Sequence, residues 1–310
     1  MVGFFRVVAL VTVVLGVISI PTSAGSPGLG IPASAQASTG PSWSDEFRGR
    51  SGLPPSPRRW TYDTGATGWG NGELQRYTTS RANSRLDGRG NLVIVARHRA
   101  GSGRKRGSYT SARLTTANRF SFLYGKVAIR ARLPRGRGLW PAFWMLGTRF
   151  PRLDWPFCGE IDVMENLGHQ PNVSYGYVHG PGSLAEVGVG GSNRSDRPLS
   201  DSFHVFSAEW SADRISFAVD GTRFETVERA TYPAGQTWAY DQEMFLLLNL
   251  AVGGGWPGKP TAGTRFPARL LVDWVRVWEG GRPPRSCSDR RYRSTGEVRC
   301  GNRRSWDRRA

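Results

Sequence analysis

Short β-strand patterns separated by turn residues follow one another over roughly residues 43–279, and this repetition restricts the fold more than any other feature. At residues 126–133, apolar side chains alternate with basic ones, which is typical of a strand with one buried and one solvated face. Asp220-Gly221 follows another such strand and predicts a hairpin turn. We find no convincing amphipathic helical pattern. The sequence therefore predicts an all-β fold, an antiparallel β-sandwich or jelly roll.

The composition is consistent with one large domain plus extra segments. All-β domains of roughly 200–250 residues are common, and this chain has 310 residues. Its 12 tryptophans and 38% hydrophobic residues can fill a sizeable core, while 40 glycines and 20 prolines suit many turns. We place the domain at residues 38–280.

The first 37 residues have the features of a secretory signal peptide. Residues 7–20 form an apolar run that is too short for a comfortable membrane span. Ala33-Ser34-Ala35 and Ala35-Gln36-Ala37 both fit a small-residue cleavage site, and cleavage after Ala24 is an alternative. We expect a secreted, soluble, monomeric protein with no membrane contact after cleavage; an uncleaved N-terminal anchor is the competing interpretation.

The formal net charge is +18, and arginine supplies most of it. A balance this basic is compatible with nucleic-acid binding. The arginines are widely spread and no nucleic-acid-binding motif is present, so we expect no nucleic-acid partner. Residues 281–310 form a basic tail, either disordered or closed into a loop by Cys287 and Cys300. Cys158 is then a small buried thiol.

Three carboxylates lie within the otherwise apolar segment Glu160-Ile161-Asp162-Val163-Met164-Glu165. Charges in a buried strand are unfavourable unless they are paired, metal-bound or used in chemistry. On a regular strand Glu160 and Asp162 share one face, and Glu165 points to the other. A β-bulge at Val163-Met164 returns Glu165 to the shared face. Two glutamates and an aspartate on one face can hydrolyse a glycoside, whereas a salt-bridged strand edge is the simpler interpretation.

Tryptophans and glycines are adjacent in two segments on either side of these acids, residues 138–147 and 249–258. A flat indole ring with open space beside it can stack on the C–H face of a sugar. The two segments therefore favour a carbohydrate ligand for the acidic strand.

These residues resemble glycoside hydrolase family 16, in its bacterial endo-β-1,3-glucanase (laminarinase) branch. The resemblance spans roughly residues 43–279, and the acidic strand at 158–165 is its most specific part. The other matching segments, in chain order, are 43–47, 68–75, 124–134, 140–147, 249–258 and 272–277.

The resemblance implies a jelly roll whose concave sheet forms an open cleft for a polysaccharide. It also implies retention of anomeric configuration, with Glu160 as nucleophile, Glu165 as general acid and base, and Asp162 as the assisting carboxylate. No cofactor is implied for catalysis. The family's sugar-binding positions fall on Trp69, Asn71, Trp140, Trp144, His179 and Trp256. Core packing is the alternative role for the tryptophans, and a structural role is the alternative for the histidine.

Many relatives hold a structural calcium on the convex side of the fold. The matching positions are Glu46, the backbone carbonyl near Gly90, and Asp273. Asp273 lies in an apolar strand, where a bare carboxylate is unfavourable. A calcium ion explains it, and so does an arginine partner.

The resemblance specifies the reaction more narrowly than the substrate. The expected substrate is β-1,3-glucan. Mixed-linkage β-1,3-1,4-glucan, a marine-type galactan and recognition of β-glucan without catalysis are the alternatives. A binding module could lose Glu160 or Glu165, and this chain has both. The loop at residues 149–155 adds bulk near the cleft and could reshape its subsites.

Overall fold

The computed structural model describes residues 40–102 and 107–280. Within them the chain forms two β-sheets, and strands are numbered in chain order. The larger sheet has ten strands: β1 (Trp43–Asp45), β3 (Gln75–Tyr77), β4 (Ser84–Leu86), β5 (Leu92–Arg99), β6 (Ser108–Ser111), β8 (Gly125–Arg132), β13 (His204–Trp210), β14 (Arg214–Val219), β15 (Thr222–Glu228) and β17 (Ala268–Glu279). The smaller sheet has seven: β2 (Thr61–Asp63), β7 (Arg113–Thr115), β9 (Leu139–Gly147), β10 (Glu160–Glu165), β11 (Val173–His179), β12 (Val189–Arg194) and β16 (Met244–Val252).

The strand order makes both sheets antiparallel almost throughout. The seven-stranded sheet runs β12-β11-β10-β9-β16-β7-β2, and the ten-stranded sheet runs β15-β14-β13-β8-β17-β5-β6-β3, with β1 beside β17 and β4 beside β5. Among the described strands, β3 and β6 form the single parallel pair. The sole helical element in the described ranges is a short 3-10 turn, Arg229–Thr231. The all-β sandwich predicted from the strand patterns is confirmed.

Alternate side chains of both sheets meet in one apolar core. In β8 the residues that enter this core are Val127, Ile129 and Ala131, which is the face that the alternating pattern predicted. They pack in the same cluster as Phe143 and Met145 from β9 of the other sheet. Each fully buried side chain of this size contributes about 1.5–3 kcal/mol to folding, so the core fixes which face of each strand points outward.

The hairpin predicted at Asp220-Gly221 joins β14 to β15. Both residues have positive φ, 49° and 82°, as a two-residue turn between twisted antiparallel strands requires. Asp220 also accepts a hydrogen bond from the Val205 amide at 2.8 Å. This turn places β15 at the edge of the ten-stranded sheet, away from β10.

Some predictions fall on segments that the structure does not describe. These are the signal peptide at residues 1–37 and the basic tail at 281–310, with the pairing of Cys287 and Cys300. The assignment of secretion therefore stays a prediction. Within the described ranges, Cys158 is a buried free thiol, as expected. No helix in those ranges has the length and apolar character needed to cross a bilayer.

Candidate active site

A β-bulge in β10 places the three acidic side chains on one face. Against β9, Asp162 is opposite Trp144 and Met164 is opposite Phe143, so Val163 is the extra residue. Val163 and Met164 consequently both point into the core. Glu165 therefore lies on the same face as Glu160 and Asp162, the face turned away from the core. The bulge predicted from the residue spacing is confirmed.

All three acidic residues are at least partly buried, Glu160 less so than the other two, and this changes their acidity. Asp162 is 3% exposed and Glu165 6%. Burial, followed by the neighbouring Asp162 charge, raises the pKa of Glu160 well above its ordinary value. Burial also raises the pKa of Glu165, to about 7, with the Glu160 charge adding to the effect and the positive charge of His179 opposing it. A substantial fraction of Glu165 is therefore still protonated at neutral pH.

His179 supplies the positive charge that faces these acids. Its Nδ1 donates to the Ala185 carbonyl at 2.6 Å, and its Nε2 lies 3.2 Å from Oδ2 of Asp162. Burial alone would lower the pKa of His179, but the contact with Asp162 and the Asp162 and Glu160 charges raise it to about 10. Burial, and then the Glu165 charge, raise the pKa of Asp162 to about 6. The imidazolium thus offsets part of the repulsion among the carboxylates.

Aromatic side chains surround Glu165. Nε1 of Trp140 donates to Oε1 of Glu165 at 2.9 Å. The ring of Trp256, 41% exposed, lies 5.7 Å from Trp140 and 4.8 Å from Tyr175, measured between centroids. Tyr177 continues this group, because it is next to Tyr175 on the same face of β11. Trp140 and Trp256 were predicted to bind sugar, and the structure places them beside Glu165.

Trp144 and Trp69 form a second aromatic group, on the side of β16 and β7. The Arg113 guanidinium lies between their rings, 4.7 Å from the Trp144 centroid and 4.8 Å from that of Trp69. Nε of Arg113 donates to Asp63 at 2.9 Å, which holds the guanidinium in place. Because Arg113 occupies one face of each indole, sugar stacking is left to the opposite faces.

A buried hydrogen-bond chain connects Trp144 to the loop that carries Asn71. Nε1 of Trp144 donates to Asn249 at 2.7 Å, whose Nδ2 donates to the Tyr77 hydroxyl at 3.2 Å. Tyr77 donates in turn to Glu73 at 3.0 Å. Asn71 also donates to Glu73, at 3.3 Å, and is itself exposed. One polar network therefore positions both the loop that carries Asn71 and the indole ring of Trp144.

Comparison with known proteins assigns the chain to a family. The sequence profile of Glycosyl hydrolases family 16 matches residues 71–276. The chain belongs to glycosyl hydrolase family 16. A beta-glucanase from Rhodothermus marinus is 46% identical over 246 residues, which cover 76% of this chain and 84% of that protein. The predicted family is thereby confirmed.

Two solved structures are similar to the family 16 fold described above. The laminarinase catalytic domain from Thermotoga maritima has a TM-score of 0.70 and 39% identity, covering 77% of this chain and 98% of that one. The endo-beta-1,3-glucanase from Pyrococcus furiosus has a TM-score of 0.69 and 40% identity, covering 77% and 94%. The predicted jelly roll is thereby confirmed as well.

Some residues of the candidate site were missed from the sequence. Tyr175 and Tyr177 could have been found, because they precede His179 at period-two spacing in one strand. Arg113 gave no comparable signal, since a chain this rich in arginine marks no single one as special. Asp63 could be identified only through its contact with Arg113.

The two carboxylates predicted to bind calcium have other partners. Nε and Nη2 of Arg276 each donate to Glu46 at 2.9 Å. Asp273 accepts a hydrogen bond from Arg130, which is the alternative explanation for its carboxylate. Gly90 has a φ of 90° in an open turn. The two carboxylates are engaged by guanidinium groups rather than directed at a cation, and calcium here stays a prediction.

Proposed function

We propose that this family 16 glycosyl hydrolase is a secreted, endo-acting β-1,3-glucanase that retains the anomeric configuration. The observation that carries the proposal is the bulged strand, which gives Glu160, Asp162 and Glu165 a common face. Burial of that face raises the pKa of Glu165 to about 7. The similar proteins, a laminarinase and an endo-beta-1,3-glucanase among them, support the substrate and the endo pattern. The N-terminal sequence supports secretion.

In the first step of the proposed reaction, the Glu160 carboxylate attacks the anomeric carbon. The bond from that carbon to the bridging oxygen breaks, and Glu165 gives its proton to the departing oxygen. This leaves a glycosyl ester on Glu160 and a Glu165 carboxylate. In the second step, Glu165 takes a proton from water as the water oxygen attacks the same carbon. Glu160 is released, and two inversions give net retention.

The active protonation state places one negative charge on Glu160. Glu160 and Asp162 are close enough that they titrate as a pair, so a proton on the pair can reside on either carboxyl. His179 contributes a positive charge beside both of them. We assign His179 the role of holding this pair partly ionised. That role differs from the direct sugar contact expected from the sequence.

Substrate choice and stereochemistry test the proposal together. The mature protein is incubated with laminarin, lichenan and agarose, the released sugars are sized, and the first products are followed by proton NMR. We expect laminarin to be cut fastest, into oligosaccharides of mixed length, with the β-anomer appearing first. A faster reaction on lichenan would favour a mixed-linkage enzyme, and one on agarose would favour a galactanase. An initial α-anomer would contradict retention, and binding without products would favour a recognition protein.

The pH profile is expected to fall on its alkaline side near pH 7. Glu165 acts as an acid only while protonated, and its pKa is about 7. Its protonated fraction, and with it kcat/KM on laminarin, therefore decreases as pH rises through that value. An alkaline limb that begins only above about pH 9 would contradict the assignment of Glu165 as the acid.

Trp140→Phe is expected to move that alkaline limb upward. The hydrogen bond from Trp140 stabilises the ionised Glu165 and so lowers its pKa. Its loss raises the pKa, and the acid stays protonated to higher pH. Trp144→Phe is the matched control, since Trp144 bonds to Asn249 instead. It should weaken substrate binding and leave the limb in place. If the alkaline limb falls at the same pH in the wild type and in Trp140→Phe, the hydrogen bond from Trp140 does not affect the pKa of Glu165.

A further inference from the structure

Arginine side chains form a row across the outer face of the ten-stranded sheet, the face turned away from the core. Residues that alternate with the core-facing ones on β8, β17 and β5 point to this outer face. The row, which we call the arginine row, consists of Arg130 and Arg132 on β8, Arg269 on β17, and Arg97 and Arg99 on β5. It is continuous across the sheet, because β17 lies between β8 and β5.

The strand register sets the spacing within the arginine row. Leu271 of β17 is opposite Arg132, and Arg269 is two residues further along the same face. Arg269 is opposite Val95, and Arg97 is two residues beyond Val95. Strands lie about 4.8 Å apart and two residues span about 7 Å, so neighbouring Cα atoms in the row are about 7–8 Å apart. The row is therefore about 30 Å long, which fits a segment of a polymer better than a small ligand.

The positive charge of the arginine row is largely uncompensated. Arg130 forms an ion pair with Asp273. Arg97, Arg132 and Arg269 form no ion pair with a carboxylate of residues 40–102 or 107–280. Neither β5 nor β8 contains an aspartate or a glutamate. A series of unpaired guanidinium groups attracts a polyanion, and each guanidinium can bind a carboxylate through two parallel hydrogen bonds.

Aromatic rings beside the arginine row are already covered by guanidinium groups. Cζ of Arg130 lies 4.9 Å from the Phe203 ring centroid, and Cζ of Arg132 lies 5.7 Å from it. Cζ of Arg276 lies 4.2 Å from the Trp274 centroid. Proteins that bind single-stranded nucleic acids stack the bases on free aromatic rings, so covered rings favour a polyanion without bases. The contacts with Phe203 also restrain two members of the row, which reduces the entropy lost when an anion binds.

We infer that the arginine row binds a linear acidic polysaccharide that carries uronate carboxylates. The row and Glu160 are on opposite sides of the sandwich, because the core lies between the two sheets. A polymer on the row therefore leaves the cleft open. The protein can be retained on acidic polysaccharide while the cleft takes its own substrate. This binding does not depend on the proposed hydrolysis of β-1,3-glucan.

Neutralising two adjacent members of the arginine row tests this binding. Arg97→Gln and Arg269→Gln are combined in one variant of the mature protein, the row variant; both positions are exposed, so the fold should be retained. The matched control combines Arg214→Gln and Arg223→Gln, which remove the same charge from exposed positions on β14 and β15 of the same sheet. Both variants keep the basic tail, so a difference between them reflects the position of the charges. Binding to immobilised polygalacturonate is measured between about 50 and 200 mM NaCl.

The row variant should bind polygalacturonate about five- to tenfold more weakly than the wild type at about 150 mM NaCl. Its plot of log affinity against log salt should be shallower by about two, one for each lost anion contact. The control should change Kd less than about twofold, and the rate on laminarin should be unchanged in both variants. Equal weakening in the two variants, or weakening in neither, would overturn the inference. So would tighter binding of the wild type to single-stranded DNA than to polygalacturonate at the same salt concentration.

Discussion

Glu160→Gln is expected to abolish hydrolysis of laminarin, with kcat reduced by about 10⁴-fold or more. The amide has nearly the same shape as the carboxyl but cannot form the glycosyl ester. The fold should be retained, because Glu160 lies on the face of β10 that is turned away from the core. Thermal stability should be unchanged or higher. The folded-state pKa of Glu160 is raised, so its ionised form opposes folding above the ordinary pKa, and a neutral amide removes that effect.

A matched control separates loss of the nucleophile from a general loss of charge. Glu209 is exposed in β13 and forms a surface ion pair with Lys126 at 3.1 Å. Glu209→Gln should retain full activity. Turnover of laminarin by purified Glu160→Gln at more than a few per cent of the wild-type rate would contradict the assignment.

Glu165→Gln is expected to separate the two steps of the reaction. Without a proton donor, kcat on laminarin should fall by about 10²–10⁴-fold. An aryl β-glucoside with a good leaving group needs no protonation, so its first step should proceed and its glycosyl ester should accumulate. Azide needs no general base and should restore turnover by giving a β-glycosyl azide. The hydrogen bond from Nε1 of Trp140 should be retained in this variant, because the glutamine side chain also has an oxygen acceptor.

Azide also provides the control for this prediction. Azide should have no effect on the wild-type protein. With Glu160→Gln and an aryl glycoside, no β-glycosyl azide should form. An α-azide from Glu165→Gln, or no rescue at any concentration, would show that Glu165 is not the acid and base.

The bulge in β10 could be predicted because two simple rules conflict within one short segment. Alternation places Glu165 opposite to Glu160, and a buried unpaired carboxylate is unfavourable in the core. One extra residue removes the conflict, and Val163 and Met164, both apolar, can enter the core together. The strand patterns and the Asp220-Gly221 turn were predictable for the same reason, since local chemistry decides them.

The platform around Arg113 could not be predicted, because it depends on long-range contacts. Arg113 comes from a three-residue strand, Asp63 from another, and Trp144 from a strand about thirty residues further along the chain. Their contact follows from the order β9-β16-β7-β2, which no local pattern specifies. The same holds for the contact of His179 with Asp162, because it depends on the pairing of β11 with β10. The predicted sugar contact of His179 stays a prediction.

The central claim is that Glu160 becomes covalently bonded to the sugar. The most direct test is to react the protein with a 2-deoxy-2-fluoro-β-laminaribiosyl fluoride, digest it, and locate the added mass by tandem mass spectrometry. The electron-withdrawing fluorine slows the second step, so the ester should accumulate. We predict one added disaccharide, on Glu160, and none in Glu160→Gln. A label on Glu165 or Asp162, or time-dependent turnover without any adduct, would contradict the double-displacement mechanism.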